Sequence, residues 1–206
     1  MTRKITAVLI IALAAGLGLM LSFHVFTPQR SGPPALKAAT LIASPRALPA
    51  FTLTSAQGKV SAEQLKGHWT VVFIGFTHCP DICPTTLAEL AKAQALWSSL
   101  PAQKRPRVLF LSVDPERDAP KPLAEYAAYF HKDTLAVTAQ EPQLTEFTRA
   151  LGLVYMKVPQ GESYTMDHSS RMVLLNPNAE LAGVVSPPLN PSALARDLMT
   201  LTQAMP

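Results

Sequence analysis

Thr70-Val-Val-Phe-Ile-Gly-Phe76 is a continuous apolar run of β-branched and aromatic residues. A strand that is wet on one side alternates polar with apolar residues. One that is apolar on both sides belongs in the middle of a sheet whose two faces are covered by helices. The run therefore commits the chain to an α/β fold built around a buried central strand. The flanking patterns agree. Leu87, Leu90, Ala91, Trp97 and Leu100 give a helix with Pro84 in its first turn an apolar stripe, and Pro101 stops it. Val108 to Val113 repeats the buried-strand pattern, Leu123, Tyr126, Ala127 and Phe130 recur at helical spacing, and Leu135 to Thr138 returns as a short strand. The order is βαβαβ. Upstream, Phe51 to Leu53 and Val60 flank Gly58 as a hairpin. Downstream, Leu144, Phe147 and Leu151 predict a third helix, Met172 to Leu175 and Leu181 to Val185 a second hairpin, and Asn190-Pro191 the cap of a last helix carrying Leu194, Leu198 and Leu201.

The N-terminal third has a different character. Residues 1–62 hold six Lys or Arg and no acidic residue, which leaves 12 basic and 14 acidic side chains for the rest. The basic balance of the chain thus comes from its N-terminal tail and not from a binding face, and this argues against nucleic acid as a partner. Arg3 and Lys4 precede residues 5–26, a 22-residue run without a charged side chain. At about 1.5 Å per helical residue it is long enough to cross a bilayer core of about 30 Å. It reads as an N-terminal transmembrane anchor or an export signal, and it places the bulk of the chain outside the cytoplasm: a bacterial inner-membrane tether with its soluble domain in the periplasm. Residues 27–49, with Pro28, Pro33, Pro34, Pro45 and Pro49, lack periodicity and read as a Pro/Ala-rich linker. The expected organisation is anchor 1–26, linker 27–49 and one domain, 50–206.

A βαβαβ unit followed by a hairpin and a terminal helix is the pattern of a thioredoxin-like α/β fold, in which reactive groups sit where the first central strand meets its helix. The only two cysteines, Cys79 and Cys83, stand at that junction. Near the helix N-terminus the dipole should lower the Cys83 pKa and favour a thiolate. Four residues apart on a helix, the two α-carbons lie about 6 Å from one another, within disulfide reach, so the pair is also a candidate redox-active disulfide. Two soft sulfurs suit Cu(I), zinc or iron–sulfur chemistry, and a third ligand of another type is required to complete such a site. Among the histidines, His24 lies in the apolar segment, while His68 and His131 occupy strand and helix ends. His78 adjoins Cys79 but is expected to point away from it. His168, in Tyr164-Thr-Met-Asp-His-Ser-Ser170, is placed in a polar loop from which its ring reaches across to the cysteine turn.

Three segments in order, Phe76-Thr-His-Cys-Pro-Asp-Ile-Cys-Pro-Thr-Thr86, Ser112-Val-Asp-Pro-Glu-Arg-Asp118 and Asp167-His-Ser-Ser170, closely resemble the SCO/SenC family of copper-binding assembly proteins. The resemblance covers roughly Leu48 to the last helix. It implies a thioredoxin-like copper-binding domain in which Cys79, Cys83 and His168 are the metal ligands, with Asp114 and Asp167 near them. It also implies a role in building the CuA centre of cytochrome c oxidase subunit II, by donating copper or by reducing that subunit's cysteines as a thiol–disulfide oxidoreductase. Other copper chaperones are further partners on this reading. Asn176-Pro-Asn-Ala-Glu180 departs from the family pattern, in which Asp-Pro-x-Gly is common. Met156, Met166 and Met172 are soft donors, but methionines in strands are expected to be packing residues.

Overall fold

The computed structural model describes residues 35–204 continuously, together with residues 5, 12–20 and 22. Met1–Pro34 and Ala35–Pro206 form separate units. In the first, residues 12–20 are helical, with Leu13, Leu17, Leu19 and Met20 exposed. Half of the expected anchor, 5–26, lies outside the described residues. Among those described, no helix is long and apolar enough to cross a membrane.

The second unit is a mixed α/β domain. Its six-stranded sheet runs in the order β1 (Ala39–Arg46), β10 (Leu181–Val185), β9 (Met172–Leu175), β4 (Thr70–Gly75), β5 (Arg107–Ser112), β6 (Leu135–Val137). β4, β5 and β6 are parallel, and β9, β10 and β1 continue the sheet antiparallel. The apolar run is the central strand, and all six residues of β4 are buried. Parallel register sets Phe73 beside Phe110, whose rings stack at 5.8 Å. α2 (Ile82–Trp97) packs on α5 (Pro191–Gln203), and α3 (Pro120–Phe130) on β6. The short α1 (Ala62–Leu65) follows the hairpin of β2 (Leu53–Ser55) and β3 (Gly58–Val60), while α4 (Gln143–Ala150) follows β6 in the chain. Pro84 sits in the first turn of α2, and Asn190 caps α5 by accepting the Ala193 N–H at 2.9 Å.

Three expectations are corrected. The stretch read as a linker contains β1, so the folded domain starts well before residue 50. β1 carries Pro45 and only one buried residue, which is why it lacks a strand pattern. It is held from a distance: the carboxylate of Asp197 on α5, 4% exposed, accepts the backbone N–H groups of Lys37, Ala38 and Ala39 at 2.7–3.1 Å. Second, the polar segment before Met172 is no loop. It forms a separate two-stranded hairpin, β7 (Tyr155–Gln160) with β8 (Ser163–His168), and His168 ends β8. Pro159 and a mostly polar sequence hide this hairpin from periodicity. Third, the Cys83 thiol is shifted in the direction opposite to that expected, as described below.

The turn that departs from the family pattern puts Ala179 at φ +60°, where glycine would be free of strain. Asn176 Oδ1 accepts the N–H groups of Asn178 and Glu180, both at 3.0 Å, and so holds the turn closed around it.

Candidate metal centre

β4 ends at Gly75, the chain turns through 76–81, and α2 opens at Ile82. This junction carries both cysteines. Cys83 lies in the first turn of α2 and is fully buried, whereas Cys79 in the preceding turn is half-buried, and both are free thiols. The Cys83 N–H, unpaired within its own helix at this position, donates to Cys79 Sγ at 3.4 Å. Gly75 makes the burial of Cys83 feasible. A Cβ there would stand 2.8 Å from Cys83 Sγ and 3.0 Å from the Phe110 ring. The sequence signal was a lone glycine in a β-branched strand, the mark of a close approach.

His168 comes to this junction from the end of β8. Its Nε2 lies 3.4 Å from Cys83 Sγ, and its Nδ1–H donates to the Ser169 carbonyl at 3.1 Å. Occupying Nδ1 as a donor leaves the Nε2 lone pair directed at the sulfurs, the tautomer a metal-ligating imidazole requires. Phe73 and Phe76 meet the ring edge-on, with centroids 6.3 and 6.1 Å away. One donor atom from each of Cys79, Cys83 and His168 lies within 4.8 Å of the other two, the one such cluster of three or more His, Cys, Asp or Glu among the described residues.

Burial acts on Cys83 and His168 in different ways. Burial pushes the Cys83 thiol well up from its ordinary value, and the neighbouring Cys79 adds to the shift. The helix N-terminus was expected to lower it, but loss of water outweighs the dipole. Burial also lowers the His168 pKa, so the ring is neutral near pH 7 and available as a ligand.

The other residues singled out from the sequence are not part of this three-residue cluster. His78 is mostly exposed and 3.9 Å from the Asp118 carboxylate. His68 and His131 line a cavity of about 370 Å³ at the opposite end of the strands. His24 falls outside the described residues. Asp167 is exposed, and Asp114, 2% exposed, faces Arg117 and Tyr164. Met166 and Met172 are packed, as expected. Met156 is not: it is 60% exposed and shares with His168 the lining of a cavity of about 310 Å³. Sequence reasoning missed Gly75, Thr77, Asp118, Arg117 and Tyr164, whose importance lies in contacts between distant segments.

A thioredoxin-like α/β domain with two thiols at the strand-to-helix junction and an imidazole brought from a separate hairpin defines a class of Cys2His thiol proteins. This chain belongs to the SCO1/SenC family, whose model matches residues 40–203. It is 36% identical over 162 residues to a Stutzerimonas stutzeri protein named for copper binding, spanning 77% of this chain and 78% of that one. A mitochondrial SCO1 homolog of Arabidopsis thaliana is 38% identical over 151 residues, 72% of this chain but only 42% of the plant protein. Among solved structures, copper-bound ScoI of Arabidopsis thaliana superposes with a TM-score of 0.69 at 30% identity, covering 76% of this chain and 98% of that one. BsSco, described as having a disulfide switch and as a member of a family of cytochrome c oxidase assembly proteins, gives 0.60 at 26% identity, covering 81% and 100%.

Proposed function

We propose that this chain is a membrane-tethered copper metallochaperone that assists assembly of the CuA centre of cytochrome c oxidase subunit II. The observation that carries the reading is the convergence of Cys79 Sγ, Cys83 Sγ and His168 Nε2 within 4.8 Å. Two soft sulfurs with one imidazole fit copper(I) better than hard divalent ions. Relatives named for copper binding and for copper-bound structures support the choice of metal. Copper is cargo here. Cys83 and His168 hold it from the buried side. Cys79, half-buried, is the accessible ligand through which a thiol of the receiving protein exchanges. Membership in a family that includes an oxidase assembly protein supports the target. The uncharged 22-residue N-terminal run supports the tether and a periplasmic position for the domain.

A second reading rests on the same pair of thiols. An accessible cysteine in the turn before a helix and a buried one in its first turn is the arrangement of a dithiol reductant, with Cys79 attacking and Cys83 resolving. Copper titration of the protein and of His168→Ala, under reducing and oxidising conditions, separates the two. We expect one tightly bound copper per chain, with thiolate-to-Cu(II) absorption that changes in His168→Ala. Absence of specific copper, together with a reversible Cys79–Cys83 disulfide indifferent to His168, would establish the reductase instead.

A further inference from the structure

We infer that Tyr164 and Arg117 are positioning residues for His168: with Asp114 they latch the β7–β8 hairpin to the 113–119 loop, and that loop is clamped to the cysteine turn. The inference rests on the copper site proposed above and names what sets its geometry.

The hairpin is a two-stranded sheet of its own and shares no strand pairing with the six-stranded sheet, so side chains must fix its distance from Cys79 and Cys83. On β8, alternation places Tyr164, Met166 and His168 on one face. Tyr164 and His168 are therefore about 13 Å apart along a single strand, at roughly 3.3 Å per residue. Met166, 7% exposed, packs into the core between them. At the Tyr164 end, the hydroxyl donates to Asp114 Oδ1 at 2.9 Å. Arg117 donates from Nε to Asp114 Oδ2 and from Nη1 to the Tyr164 carbonyl at 3.1 Å. Its guanidinium stands 3.8 Å from the centroid of the Tyr164 ring and 5.8 Å from that of Phe76, the ring that meets His168 edge-on. The Asp114 side chain is buried and that of Arg117 largely so, and a charge-assisted contact shielded from water holds position best.

The same loop reaches the cysteine side. Asp118, 1% exposed, accepts the Thr77 N–H at 2.9 Å, the Thr77 hydroxyl, and the Ser112 hydroxyl at 2.6 Å. Thr77 lies two residues before Cys79. One seven-residue segment, Ser112 to Asp118, therefore holds the imidazole arm through Asp114 and Arg117 and the thiol turn through Asp118. Neither Arg117 nor Tyr164 is among the three metal-cluster residues.

The test compares copper(I) affinity, measured by competition with a chromophoric chelator, and the thiolate-to-Cu(II) band in the wild type, Tyr164→Phe, Arg117→Gln and His168→Ala. Tyr164→Phe keeps the ring and deletes only the hydroxyl on Asp114. Thermal melts of the copper-free proteins run alongside. We expect Tyr164→Phe and Arg117→Gln each to bind copper about tenfold more weakly, the low end for removing outer-shell partners of a metal ligand. The band should shift while one copper per chain is retained. Lys66→Gln, which breaks an exposed pair with Glu63 away from the latch, should match the wild type. A latch that merely stabilises the fold would lower the melting temperature and leave affinity and band unchanged, and that result overturns the inference. If Arg117→Gln fails to fold, Tyr164→Phe decides alone. If the wild type binds no specific copper, or His168→Ala matches it, the copper site itself falls and the latch with it. If His168→Ala loses copper while both latch variants keep it, only the latch is refuted.

Discussion

A Cβ added at Gly75 would approach Cys83 Sγ to 2.8 Å, nearer than packed atoms tolerate, with the Phe110 ring 3.0 Å away on another strand. Either the sulfur or β5 would have to move. Gly75→Ala is therefore expected to cost about 1–3 kcal/mol in urea unfolding, the usual range for overpacking a dense core. It should also weaken copper retention, because one group forced aside is a proposed ligand. Parental stability and parental affinity together would show slack around the sulfur that the structure denies. The cysteine pair was legible as chemistry because both residues stand in one strand-to-helix turn. The electronic state of Cys83 was not. The helix dipole is a local effect that a sequence displays, whereas desolvation is summed over every neighbour that excludes water, and at Cys83 the second prevails. The same limit separates the three methionines. Met166 and Met172 pack as strand methionines usually do, but Met156, in a strand too, is left exposed by a hairpin that no periodicity announced.

Elements encoded by their own periodicity were legible: β4, β5, α2, α3 and α5 all appear where apolar spacing puts them. Those that exist only through a distant partner were not. β1 is an edge strand whose backbone pairs with β10 and whose first N–H groups are taken up by Asp197, about 160 residues away in sequence. Removing that carboxylate leaves buried or half-buried N–H donors without their acceptor. Asp197→Ala should therefore destabilise the domain by about 2–3 kcal/mol in denaturant titration, near the cost of a buried unsatisfied group. Copper affinity should hold, since β1 is separated from β4 by two strands. A stability loss below about 0.5 kcal/mol would show that water or a neighbouring group replaces Asp197 at the start of β1. The β7–β8 hairpin is the second such element. Its own pattern is nearly silent, yet it places His168, and its attachment depends on residues from the 112–118 motif.

For the whole molecule, the proposed division of labour is a tether that fixes location and a domain that handles copper. The domain was expected to begin at residue 50, after a linker of residues 27–49, but the folded unit begins at Ala35. The full chain, produced in a bacterium, should stay with the membrane through an alkaline carbonate wash, and deletion of residues 1–26 should release it. Recovery of the full chain in the wash would remove the anchor from the proposal. By itself the sequence determined the central strand, the alternating order of strands and helices, the turn that holds both thiols and the family to which the chain belongs. These are properties of short segments, in which spacing and side-chain type act directly on local conformation. Only the tertiary structure decided that β1 belongs to the sheet, that Cys83 is sealed from water, and that His168, 85 residues beyond Cys83, comes within 3.4 Å of it. Those outcomes depend on how separate segments pack and which buried polar groups find partners, and no window of neighbouring residues contains that information.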